Sequence, residues 1–126
     1  MTSRILLALA ALAYLWVGVQ GLADPVGLAA TVGLAPAKPG AANELRASYG
    51  GQSLAVAVLL ALGAWRPAAT RPALLLLTVL CGGLVLGRAV DTLQNGLPPA
   101  FTCSLWGFEG VMALTGAIAL QVQRTR

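Results

Sequence analysis

Residues 72–92 read PALLLLTVLCGGLVLGRAVDT, and this stretch decides the fold. It carries no charge until Arg88, close to its end. A hydrocarbon layer of about 30 Å needs roughly twenty apolar residues of helix to cross it. Three other stretches match this one. Residues 5–22 read ILLALAALAYLWVGVQGL; residues 44–65 begin polar and become apolar from Leu54; residues 104–122 read SLWGFEGVMALTGAIALQV. Inside lipid every backbone N–H and C=O must be satisfied within its own segment, so these runs are helices rather than strands. The expectation is an all-α chain, one transmembrane domain over residues 1–126, forming an integral membrane four-helix bundle.

Composition agrees. Of 126 residues, 58% are hydrophobic and 10% charged, and mean hydropathy is +0.81. Soluble domains carry about 25% charged residues, and a chain this short could not hide so much apolar surface in a water-soluble core. The net charge of +4 is not a nucleic-acid signal: the arginines flank hydrophobic runs, and no basic patch with interleaved aromatics appears. Histidine is absent, which removes bis-His haem ligation and His-based acid–base catalysis. Cys81 and Cys103 form no CxxC and no metal-ligand spacing. With Cys81 near mid-bilayer and Cys103 in a loop, a disulfide between them is disfavoured. No cofactor or metal is expected.

The boundaries carry their own punctuation. Asn43 is a candidate N-cap for the second helix, Pro72 suits a first helical position, and Ser104 or Thr102 would cap the fourth. Gln94-Asn95-Gly96 followed by Pro98-Pro99 ends the third. Arg4, Arg66, Arg71, Arg124 and Arg126 fall on one side, whereas the other side's loops hold only Lys38. The positive-inside rule therefore places both termini and the Arg66–Arg71 turn in the cytoplasm. In the loop after the first helix, Asp24-Pro25 reads as N-cap then N1 of a short helix over 26–32, ended by Gly33 and lying on the outer membrane surface. APAKPGAAN follows as a linker. Arg4, the apolar run and Gly-Leu-Ala before Asp24 also fit a cleaved signal peptide, which would leave three helices.

Ionisable residues inside a membrane are functional hypotheses by default. Here they are Glu44, Arg46, Arg88, Asp91 and Glu109. From the helical rise, Arg88 lies about 24 Å from the cytoplasmic end of its helix, while Arg46 and Glu109 lie about 4–5 and 7–8 Å below the outer ends of theirs. Three helices thus deliver their charges to one level, the outer quarter of the bilayer. At 100° per residue Arg46, Tyr49, Gly50 and Ser53 share a face. Arg88 and Asp91 are an i,i+3 pair, beside a Gly83–Gly87 stripe whose GxxxG spacing permits close helix approach. Arg46 and Arg88 would balance Asp91 and Glu109. The bland readings stand alongside. The arginines snorkel to headgroups, Asn43 and Glu44 only cap a helix, and the charges only fix helix register.

The chain resembles a small bacterial membrane family, the domain of unknown function 4345. The bearing segments are LADPVGLAATVGL, NELRASYGG and LGRAVDTLQNGLPP, covering Asn43, Glu44, Arg46, Tyr49, Gly50, Gly51, Gly87 and Arg88. A weaker, fold-level similarity is to DoxX-like membrane proteins. The resemblance implies a four-helix bundle in a bacterial inner membrane and no particular activity.

Three functions compete. The first is an accessory or scaffold protein whose charged cluster is structural or meets a partner membrane protein or a second copy. The alternative is an outward-facing site for a lipid, quinone or other small amphipathic ligand, lined by Arg46, Tyr49, Gln52, Arg88, Asp91 and Glu109. An enzymatic version would use Glu109 or Asp91 as acid–base. A small multidrug-type transporter ranks last, because no carboxylate lies near the midplane.

Overall fold

In the computed structural model, which describes residues 2–35, 38 and 40–124 (Arg124 by its backbone alone), each apolar run becomes one helical rod. The first is α1, Thr2–Ala23. A short α2, Pro25–Thr31, follows. The second rod, Ala41–Trp65, is composite: α3 over Ala41–Leu45, a π-helical segment over Arg46–Gln52, and α4 over Ser53–Trp65. The third is α5, Pro67–Asn95, and the fourth α6, Ala100–Arg124. All four rods are long and apolar enough to cross a membrane, and the architecture is an all-α helical bundle. Pro36, Ala37 and Pro39 of the linker, and Arg126, lie outside the described residues.

The α2 signals act as the sequence indicates. The Asp24 carboxylate accepts from the Gly27 N–H at 2.9 Å, with Pro25 at the first helical position. Gly33, at φ 81°, turns the chain so that the Leu34 N–H reaches Ala29 O and the Gly33 N–H reaches Ala30 O, both at 3.0 Å. Other boundaries differ from expectation. Gly40, at φ 88°, is the N-cap of α3, and Asn43 lies inside the helix. Pro67 takes the first position of α5, leaving Pro72 in the interior. Near a helix start the proline ring forfeits only one backbone bond. Helix α6 begins at Ala100, so Thr102 and Ser104 do not cap it. Cys103 sits in its first turn, donating to Pro98 O at 3.3 Å.

The rods form an open arc. Helix α1 packs on α4, α4 on α5 and α5 on α6, while α6 barely meets α1. The α1–α4 seam is tight because glycines line it. A Cβ at Gly21 would stand 2.5 Å from the Tyr49 carbonyl carbon, and one at Gly50 would stand 2.6 Å from Leu22 Cδ2. Arginines close both ends of this antiparallel pair. Arg4 donates to Ala64 O and Trp65 O, at the end of α4. Arg46 donates to Leu22 O at 3.2 Å, at the end of α1. The last carbonyls of a helix lack internal partners and carry the negative end of its dipole, so a cation there is favourable. Gly83 and Gly87, by contrast, have open space where a Cβ would point. Among the described residues no atom of another helix lies within 4 Å of a Cβ at either position, so the GxxxG stripe is not a close helix approach here; α5 comes close to α6 at Gly116, under Thr78.

The two halves of the bundle are filled differently. Toward the Arg66 end, Leu7, Leu60, Leu74 and Leu77 are fully buried against one another's helices. Thr70 ties the α4–α5 turn there by donating to Gly63 O at 2.8 Å. Toward the Gly96 end Ala10, Ala13, Ser53 and Cys81 stand among larger side chains, and the bundle is hollow.

Candidate functional site

The hollow is a cavity of about 490 Å³, within the range of small-molecule sites. All four rods line it. Helix α1 supplies Ala13, Tyr14 and Val17; the π segment supplies Ser48, Tyr49 and Gln52; α5 supplies Cys81, Leu84 and Arg88; α6 supplies Leu105, Phe108 and Glu109. Val32 and Leu34, from the turn after α2, line it as well. Its walls include Ala10, Val56, Cys81 and Met112, which belong to the packed core. Two other depressions lie between neighbouring helices, α1–α4 and α5–α6, each lined by two rods only.

Arg88 and Glu109 meet across the α5–α6 seam as a two-pronged pair. Arg88 Nε donates to Glu109 Oε2 at 2.7 Å and Nη2 donates to Oε1 at 2.9 Å. The side chains are 26% and 12% exposed. Parallel N–H···O bonds of this kind are the strong form of ion pair, and among the described residues it is the sole salt bridge. Three of the five Arg88 N–H groups remain unspent on Glu109. Tyr49, Gln52 and Ser53 also face the cavity, and their side chains take no protein hydrogen bond among the described residues. Tyr14 and Cys81 touch through oxygen and sulfur at 3.9 Å.

The predicted charge cluster is thus split. Tyr49, Gln52, Arg88 and Glu109 share the cavity. Asp91 is exposed and accepts from Asn95 Nδ2 at 2.7 Å, one turn further along α5, so it pairs with neither arginine. Arg46 turns to the end of α1 instead. The reason is local winding. A π turn takes more residues than an α turn, so Arg46 falls out of phase with Tyr49 and Ser53, and the shared face expected from 100° steps does not form. Asn43 and Glu44 are exposed on α3 outside the cavity, with Glu44 in the first turn, where a carboxylate suits the helix dipole. Sequence reasoning missed Tyr14, Ser53, Cys81 and Phe108 as cavity residues. It also missed the π segment, for which the Gly50-Gly51 pair was the available signal.

Four membrane-length helices around a partly polar cavity define a multi-pass helical membrane protein. The chain belongs to the family described as domain of unknown function (DUF4345), whose model matches residues 2–120. No curated protein and no solved structure matches the chain, so the weaker likeness to DoxX-like proteins has no support from either comparison.

Proposed function

We propose that this protein binds a small amphipathic molecule, such as a membrane lipid or quinone, in the cavity between its four helices. The observation that carries this reading is the hollow itself. A bundle whose polar residues served only to hold helices together would fill that space, because cavities forfeit packing energy. The π segment supports the same reading, since such segments cluster at functional sites. So do Tyr49 and Gln52, which line the cavity and whose side chains take no hydrogen bond among the described residues. The surroundings we propose are a bacterial inner membrane, with both termini on the cytoplasmic side. The grouping of Arg4 with Arg66 and Arg71 at one end of the bundle favours that orientation. Proton transfer by Glu109 is not favoured, because both its oxygens are engaged by Arg88.

A second reading, an accessory or scaffold protein that self-associates, draws on the open space at Gly83 and Gly87, a spacing suited to a second copy of α5.

Native mass spectrometry of detergent-extracted protein tests the first reading. Wild type is expected to carry a bound small molecule. Ala13→Phe, which fills the cavity from α1, is expected to lose it while melting within about 3 °C of wild type, the shift of a change worth under 1 kcal/mol. Equal retention by both proteins would refute binding in the cavity.

A further inference from the structure

We infer that the cavity selects a molecule with an uncharged, hydrogen-bond-accepting head and an apolar tail, the tail leaving between α1 and α6 into the lipid. This rests on the binding reading above and specifies its ligand. Arg88 and Glu109 neutralise each other through two bonds of 2.7 and 2.9 Å. An anionic head on the unspent Arg88 N–H groups would set two negative charges against one guanidinium, and a cationic head beside Glu109 would set two positive charges against one carboxylate. Either arrangement leaves one charge unbalanced in a poorly solvated place, which is unfavourable. A neutral head disturbs nothing.

The hydrogen-bond inventory then fixes polarity. Arg88 has N–H groups to spare and can only donate, whereas the Tyr49 and Ser53 hydroxyls and the Gln52 amide, on residues lining the same cavity, can donate or accept. With the Glu109 carboxylate committed to Arg88, the donor-only guanidinium tips the balance of these groups toward donation. Donor-rich walls suit carbonyl, ester or quinone oxygens.

The route for a tail follows from the arc. The α1–α4, α4–α5 and α5–α6 seams are packed, whereas α6 and α1 barely touch. Phe108, half exposed on α6, also lines the cavity, as do Ala13 and Val17 on α1. The cavity therefore reaches the lipid through an apolar seam, where a chain loses no hydrophobic contact on leaving the protein.

The test uses the full chain in lipid nanodiscs and three probes with the same ten-carbon tail: decyl-benzoquinone, decyl phosphate and decyltrimethylammonium. Thermal unfolding is followed at equal mole fractions of probe in the bilayer, with Ala13→Phe as the control for non-specific partitioning. The quinone is expected to bind wild type at least about tenfold tighter than either ion, and its stabilisation is expected to vanish in Ala13→Phe. Glu109→Gln is expected to shift preference to the phosphate probe by tenfold or more, and Arg88→Gln to the ammonium probe. Charged probes binding wild type as well as the quinone would overturn the ligand class and leave the cavity reading standing. No Ala13→Phe-sensitive stabilisation by any probe would overturn both. The three-probe comparison on wild type decides the matter even where a charge variant does not fold.

Discussion

At the scale of single residues, the pairing of Arg88 with Glu109 is the main electrostatic commitment of the fold. Removing one partner leaves the other without compensation. Arg88→Met is expected to lower stability by roughly 2–3 kcal/mol, below the fully buried range because Arg88 is about a quarter exposed. The double variant Arg88→Met/Glu109→Gln is expected to recover most of that loss. Equilibrium unfolding in mixed detergent checks both, and a double variant no better than the single would show that the pair is not coupled. The sequence made these two residues candidates because both sit in spans and charges in spans are costly. It could not say which arginine meets which acid. That choice depends on which helices are neighbours and on the phase of each, and Asp91, only three residues from Arg88, turns to Asn95 instead.

Elements follow a similar division between what is and is not legible. Hydrophobic length reveals the four rods, and Asp24-Pro25 with Gly33 marks α2, because both signals act within a few residues. The π segment is different: a change of winding between Arg46 and Gln52 costs little locally and is decided by the close approach of α1, so NELRASYGG reads as ordinary helix. The glycines sort in the same way. Gly21 meets backbone, and Gly21→Val is expected to cost about 1–3 kcal/mol through overpacking. Gly83 meets nothing, so Gly83→Ala is expected to be neutral or to gain up to about 1 kcal/mol from helix propensity. Thermal melts of the two variants compare them directly. A destabilised Gly83→Ala that also loses a cross-linked dimer would favour the self-association reading.

Over the whole molecule, the sequence reveals an integral bundle but not its uneven filling, since any of the inward positions could have been closed by side chains from a helix far away in the chain. The leucines at the Arg66 end make the hollow a blind alley. On the binding reading an occupant would arrive and depart by the same mouth, away from those leucines. Liposomes holding the protein are accordingly expected to stay tight to potassium and protons under an imposed voltage, as measured by dye release and planar-bilayer current. Exchanging Leu60 and Leu77 together for alanine would drill the missing floor, and a leak is expected only then.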